Sequence, residues 1–349
     1  MRVSVIGCGN IAQVHLEILN SMEGIEISSV ADIVEEKVDK AAEKYGCKAY
    51  YDYIKMLEED HPDAVHICTP HYLHVEMSVE ALSRDIHVLC EKPCAINREE
   101  LAKIRMAQLM STHEYGVCFQ NRYNPSVRAV KNVLETGKYG AIKGARAVVQ
   151  WCRNEDYYSD DWHGTLKKEG GGVVINQGIH TQDLLRYLVG SNVIGVTGHV
   201  SNDHLKDVIE VEDTAHARFV FENGVIGLYD ATTAFSLNAK PIIDIFCERA
   251  TLRVEGDNAC IIHKDGEMEF LSTENDVARG KDYWGGGHEA LIHDFYDCIA
   301  LGGHFPIDSH EGGKSVEEFA AIYEEAKKYV GTPYVWGGST PETGFDCSG

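Results

Sequence analysis

Three short stretches hold residue types and spacings that could do chemistry. Gly7-Cys8-Gly9-Asn10-Ile11-Ala12 is a G-x-G-x-x-A pattern that follows an apolar run at 3–6 and opens an amphipathic one. Glycines so placed let the chain turn tightly and approach a pyrophosphate whose charge rests on a helix N-terminus, so the pattern predicts dinucleotide binding. Asp32 closes the next β-branched run, twenty residues after Ala12. A carboxylate there accepts hydrogen bonds from the adenosine ribose and repels a 2′-phosphate, which favours NAD and leaves NADP open. Thr69-Pro70-His71 ends a further run at the carboxyl edge of the expected sheet, where ligands gather, so Thr69 and Pro70 join the cofactor contacts. His71 and His74 are expected as surface or helix-cap histidines.

The second stretch, Glu91-Lys92-Pro93, follows the apolar run 86–90 and stands at the same edge, near the expected nicotinamide. Beside that positive ring an ammonium is disfavoured, which suits Lys92 to hydrogen-bond an alcohol and relay its proton. Pro93 is a candidate for a cis bond that aims the lysine; an ordinary surface Lys-Pro turn is the plain alternative. The third stretch runs from Gly170-Gly171-Gly172 to Leu185. Asn176, His180 and Asp183 fall at i, i+4 and i+7, one helix face, with Asp183 spaced to orient or charge-tune His180. His180 is therefore a candidate general base, against the commoner role of a core histidine satisfied by a carbonyl.

These residues need a scaffold. From residue 1 to about 120, strand candidates at 3–6, 27–31, 64–68, 86–90 and 116–119 alternate with helix candidates at 11–21, 34–45, 74–83 and 98–111. That alternation predicts a doubly wound parallel sheet of the Rossmann kind. Beyond Asn121 the strands lengthen and alternate (214–221, 225–233, 242–247, 251–254, 259–263), with helices at 291–300 and 315–328. The prediction is an α+β region at 121–328 with a large, mostly antiparallel open sheet. Asn223-Gly224 supplies the positive φ angles of a tight hairpin turn.

Composition bounds the rest. The chain has 349 residues, which suits two domains, and 32 basic against 55 acidic residues give a net charge of −23. That field repels nucleic acid and anionic lipid. No apolar run reaches membrane-spanning length, and no basic-then-apolar leader opens the chain, so a cytoplasmic protein is expected. Eleven cysteines, an odd number without a C-x-x-C pair, read as reduced and mostly buried thiols, with no metal site expected.

The glycine turn, Glu91-Lys92-Pro93, Gln120-Asn121-Arg122-Tyr123-Asn124-Pro125, the glycine triplet and 176–185 together resemble, in order and spacing, the glucose-fructose oxidoreductase / inositol dehydrogenase (Gfo/Idh/MocA) family over residues 1 to about 328. The resemblance implies a Rossmann domain (1–120) and a substrate-binding and oligomerisation domain (121–328) whose open sheet face forms a homodimer or homotetramer. It also implies oxidation of a secondary hydroxyl of a sugar, sugar derivative or cyclitol, hydride passing to nicotinamide C4. Lys92 matches the lysine that contacts the reacting hydroxyl, and His180 the histidine that takes its proton. Many members carry an aspartate four residues before that histidine; Asn176 stands here, and an amide can only position. Asp183 is left in support. Tyr157, Trp162 and His163 resemble substrate-side residues, Trp162 being equally a packing residue, and His288 after Gly285-Gly286-Gly287 is expected to face the site. Asn176 also leaves open an NAD-binding regulatory protein that has lost catalysis. Residues 329–349, with Asp346-Cys347-Ser348-Gly349, resemble the start of an NlpC-type cell-wall peptidase domain, truncated before any helix or activating histidine; a peptidase precursor is the remaining alternative.

Overall fold

The structure is a computed structural model that describes residues 1–271 and 286–328, with a short strand pair at Ser339–Thr340 and Gly344–Phe345. The peptidase-like reading of Cys347 lies outside the described residues.

The first half runs β1 (Arg2–Ile6), α1 (Asn10–Ser21), β2 (Glu26–Ala31), α2 (Glu35–Tyr45), β3 (Lys48–Tyr50), α3 (Tyr53–Asp60), β4 (Ala64–Ile67), α4 (His74–Leu82), β5 (His87–Glu91), α5 (Arg98–Met110) and β6 (Tyr115–Cys118). The six strands form a parallel sheet in the order β3-β2-β1-β4-β5-β6. Chain order reverses at β1, which opens a crevice beyond the carboxyl ends of β1 and β4. The strands read as largely apolar runs because helices cover both faces; central β4 and edge strand β6 are buried at every position. The sequence reading misses β3 and α3. The strand is three residues long and mostly exposed, so it shows no apolar run. Asp52, which accepts from the Ile54 and Lys55 amides, is the N-cap that marks the helix.

The second half adds α6 (Pro125–Glu135), β7 (Ile142–Gln150), α7 (Ile179–Val189), β8 (Val193–Ser201), β9 (Thr214–Phe221), β10 (Ile226–Thr232), β11 (Ile242–Cys247), β12 (Ala250–Glu255), β13 (Asn258–His263), β14 (Met268–Phe270), α8 (Gly287–Leu301) and α9 (Ser309–Lys327). Its sheet runs β14-β13-β12-β11-β7-β10-β9-β8, antiparallel apart from the β7–β10 pair. Alternation sets its faces: in β9, Ala215, Ala217, Phe219 and Phe221 point to the core while His216 and Arg218 face out. On the outer face Leu228, Phe246, Met268 and Phe270 are exposed around Asp244, which sits clamped between Arg146 and Arg253. The hairpin turn differs from expectation. Gly224 alone has positive φ (82°), and its amide bonds the Phe221 carbonyl at 2.9 Å, so the connection is a type I turn closed by a glycine bulge.

The last two helices return to the first half. Arg105 of α5 bonds Glu317 of α9 at 2.6 Å, and Phe295 of α8 and Phe305 lie against the face of β6 where Gly116 has no side chain. No helix among the described residues is long and apolar enough to cross a membrane.

Candidate active site

The crevice at the β1 and β4 ends continues into a cleft of about 620 Å³ that reaches the α7 end of the second sheet. Its cofactor side is built by glycine. Gly7 has φ +91°, and a Cβ there would lie 2.6 Å from the Cys68 carbonyl oxygen, so only glycine closes the turn. Gly9 has ordinary φ and nothing within 4 Å of a built Cβ, so its face is open toward the cleft. Helix α1 starts at Asn10 with no side-chain cap, which leaves its first amides for an anion. Asp32 accepts from the amides of Cys8 (2.7 Å) and Val34 (2.9 Å), which fixes its carboxylate at the cleft wall beside Ile33 and Lys37. Uncapped amides, an open glycine and a fixed acid suit a dinucleotide, with Gly7, Gly9, Asn10, Ile11, Asp32, Thr69 and Pro70 all lining the space.

Of the surface or helix-cap places expected for His71 and His74, the structure gives neither a surface place, and His74 opens α4. His71 is buried under Trp162, with its Nδ1 3.0 Å from the Glu169 carbonyl. His74 lies 2.7 Å from the Pro93 carbonyl and 2.8 Å from that of Thr69, so it ties the ends of β4 and β5 together. Burial lowers both rings below the ordinary histidine value.

Lys92 leaves the end of β5 through a cis Lys92-Pro93 bond. Its Nζ donates to the carbonyl oxygen of Asn176 at 3.1 Å and to its Oδ1 at 3.0 Å, and Pro93 lies beneath, buried. Burial lowers the ammonium below the ordinary lysine value, opposed by Glu91 and Glu169. His180 is the second residue of α7 and stacks edge-on against Phe119 at 5.8 Å. Its Nδ1 is enclosed without a hydrogen-bond partner, so it is not the carbonyl-satisfied core histidine. Burial, then the Lys92 cation, pushes it down to about 3, a neutral imidazole at neutral pH. Both residues line the one cleft with the glycine turn.

Asp183 departs from its expected place. It is buried and grips Arg122 through two bonds of 2.6 Å and Arg186 through one of 2.8 Å, so its charge is committed to two guanidiniums and not to His180. The assumed face fails because the helix begins only at Ile179; Asn176 belongs to the turn before it. That turn still puts Asn176 at the centre of the site. Its Nδ2 donates to Glu169 Oε1 at 2.5 Å and to the Tyr157 hydroxyl at 3.3 Å. Glu169 is fully buried and is a site residue that sequence reasoning missed; its signal was its place directly before the glycine triplet.

Tyr157 and His163 line the cleft, their rings 4.7 Å apart, with His163 Nδ1 at 2.5 Å from Asp160. Trp162 both lines the cleft and packs on His71 and His163. Trp151 and Arg153 also line it and carried no motif, while Gln120 and Gln177 line it from stretches that carried the resemblance without a role of their own.

Beneath Lys92 runs a buried hydrogen-bonded chain. Glu91 Oε1 lies 3.0 Å from His15 Nε2, His15 Nδ1 lies 2.7 Å from His66 Nδ1, and His66 Nε2 lies 2.8 Å from the Tyr296 hydroxyl. The imidazole of His15 is the first of the causes that hold Glu91 below the usual carboxylate range against burial. With both imidazoles neutral, an ionised Glu91 accepts from His15, which accepts from His66, which accepts from Tyr296. His288 also lines the cleft, and burial pushes it down to about 4. His15, Glu91, Cys118 and His288 bring donor atoms within 4.8 Å of one another. Both nitrogens of His15 are already bonded and burial keeps the Cys118 thiol protonated, so the group reads as a hydrogen-bonded cluster.

Two family models match the chain. One, described as "Oxidoreductase family, NAD-binding Rossmann fold", covers residues 1–117, and the other, "GFO/IDH/MocA C-terminal domain", covers 127–253. The myo-inositol 2-dehydrogenase of Thermotoga maritima is 25% identical over 286 residues, 81% of each chain. Among solved structures, the WlbA dehydrogenase of Bordetella pertussis, in complex with NADH and UDP-GlcNAcA, has TM-score 0.80 at 26% identity, covering 93% of this chain and 96% of that one. Levoglucosan dehydrogenase, in complex with NADH and levoglucosan, has TM-score 0.85 at 23% identity, covering 94% and 97%, and shows the same fold. The peptidase-like reading of the tail finds no support in these comparisons.

Proposed function

Because the chain belongs to the Gfo/Idh/MocA family of oxidoreductases and carries its NAD-binding Rossmann domain, we propose that it oxidises a secondary hydroxyl of a sugar, sugar derivative or cyclitol, using NAD. The observation that carries this reading is convergence: Lys92 from the end of β5 and His180 from the start of α7 line one cleft with Gly7, Gly9 and Asp32. NAD, when bound, supplies the hydride acceptor. The relatives' names, inositol and levoglucosan dehydrogenases among them, support a polyhydroxylated substrate.

The residues divide the work by their hydrogen-bonding capacity. An ammonium has three donors; Asn176 takes two, which leaves one Lys92 N–H for the hydroxyl oxygen. His180, a neutral imidazole that lines the cleft, receives the hydroxyl proton. Each such contribution is typically worth about 10²–10⁴ in rate. Tyr157 and His163 face the substrate, and Asp32 discriminates against a 2′-phosphate. The apolar residues on the outer face of the second sheet support its being covered by a second copy, which light scattering tests.

The test is absorbance at the NADH band with NAD⁺ or NADP⁺ and a panel of inositols, aldoses and glycosides. His180→Ala should lose at least about 100-fold in kcat while NADH still binds. Wild-type protein that binds NADH yet turns over no member of the panel would favour the regulatory alternative, and unchanged turnover in His180→Ala would remove that histidine.

A further inference from the structure

Behind the cleft wall, against the Asn176 amide that lines it, lies a buried carboxyl whose hydrogen-bond partners are amides and not a cation. Glu169 supplies it from the loop before the glycine triplet. Its Oε1 accepts from Asn176 Nδ2 at 2.5 Å and its Oε2 from the Gly164 amide at 2.5 Å. The other end of the same Asn176 amide, Oδ1, accepts from Lys92 Nζ at 3.0 Å. The order is therefore carboxyl, amide, ammonium, joined by two hydrogen bonds and closed to solvent on the Glu169 side. We infer that Glu169 is a positioning residue that serves, through the Asn176 amide, as the carboxylate partner of Lys92. This rests on the reading of Lys92 as the group that meets the substrate hydroxyl.

An amide between a carboxylate and an ammonium is polarised by both, and the two bonds fix its flip: oxygen toward Lys92, nitrogen toward Glu169. Aimed this way, Asn176 holds Nζ in one place. The groups that face Glu169 come from every element around it. Lys92 stands at the end of β5, Glu212 just before β9, Tyr157 and Tyr158 on the 155–158 turn and Tyr323 on α9, while the His71 ring meets the Glu169 carbonyl. Burial is the largest influence and pushes the carboxyl up to about 8; Glu212 adds to this, while the Gly164 and Asn176 bonds and Lys92 oppose it. The carboxyl is thus neutral below that pH and ionised above it, and its hold on Lys92 strengthens as pH rises through it.

The experiment uses three variants of the full chain: Glu169→Gln, Asn176→Asp, and the two combined, which moves the charge from 169 to 176. Lysines are labelled by reductive ¹³C-methylation and Lys92, assigned by loss of its signal in Lys92→Arg, is titrated by NMR. In Glu169→Gln the Lys92 midpoint should fall by about one pH unit, and in the double variant it should return. An unchanged midpoint overturns the inference, and because this readout needs no turnover it is separate from the fate of the dehydrogenase reading. With the panel substrate that the wild type oxidises fastest, kcat in Glu169→Gln should drop by roughly 10- to 100-fold with little change in NADH affinity. Its kcat–pH profile should lose the limb near pH 8. The double variant should recover to within about tenfold of wild type. If Glu169→Gln does not fold, the double variant carries the test alone, and a folded double variant that binds NADH but stays inactive overturns the inference.

Discussion

Replacing Asp183 by asparagine separates two assignments that share one residue. If spacing on a helix decided the matter, Asp183 would tune His180 and its loss would appear in the chemistry. The structure instead places it between Arg122 and Arg186, both nearly enclosed, and Asp183 itself is 1% exposed. Removing one partner from a buried ion pair costs about 3–5 kcal/mol, since the guanidiniums keep their desolvation and lose their counter-charge. Glu311, 2.9 Å from Arg122 and 2.6 Å from Arg186, survives and holds the cost toward the lower end. Glu318, 3.0 Å from Arg186 and pushed up to about 7 mainly by burial, would lose a like-charged neighbour and ionise more readily, a second offset. At about 2.1 cal/mol/K per residue, 349 residues have an unfolding entropy near 0.7 kcal/mol/K, so the drop in Tm should be about 4–7 °C. Scanning calorimetry measures this, beside kcat and its pH profile at a temperature where the variant is folded. A variant with unchanged Tm, a crippled kcat and a displaced pH profile would refute the placement and return Asp183 to His180.

Gly9→Ala should keep wild-type Tm, because nothing lies within 4 Å of the added methyl, yet weaken NADH by at least about tenfold in a fluorescence titration; Gly7→Ala, driven into the Cys68 carbonyl at positive φ, should lower Tm as well. Stability should peak in mildly acidic to neutral solution. Glu169, raised from 4.5 to about 8, binds its proton more tightly when folded, so its contribution is full below pH 4.5 and is lost as pH rises through 8. At about 1.4 kcal/mol per pH unit this is bounded near 5 kcal/mol, and denaturant titrations at pH 5 and 9 should show Glu169→Gln gaining on wild type at the alkaline end. His66, His71, His74, His180 and His288, all lowered by burial, act oppositely, and their stability is lost as pH falls below 6.5. Tyr296→Phe should cost about 1–3 kcal/mol by leaving His66 Nε2 unbonded, with kcat little changed.

Much of the frame was legible because parallel strands buried on both faces announce themselves as apolar runs, and β1, β2, β4, β5 and β6 all lie within a residue of where that signal put them. Thin elements escaped: β3 has no buried residue to betray it. Local chemistry carried the cofactor side, since Gly7, Gly9 and Asp32 act within a few residues of one another. The opposite wall needed distances that spacing does not encode. Glu169 stands seven positions before Asn176, but the glycine triplet between them breaks any helix that would make this spacing a shared face, and the turn it forms folds the two side chains together. Asp183 misled for the converse reason: its nearest charged partners, Arg122 and Glu311's neighbour Arg186, include one 61 positions away that no periodicity reveals.

The string of groups from Tyr296 to Glu91 has a sense of direction. While both imidazoles are neutral, each member gives a hydrogen toward the acid and takes one from behind, so a single ionised carboxyl sets the tautomer of two rings and the rotor of a phenol on a helix from the far end of the chain. Protonating Glu91 would leave all of them free to reverse. Nitrogen-15 shifts of His15 and His66 would therefore report, from deep inside the fold, the electrical state of the acid that adjoins Lys92.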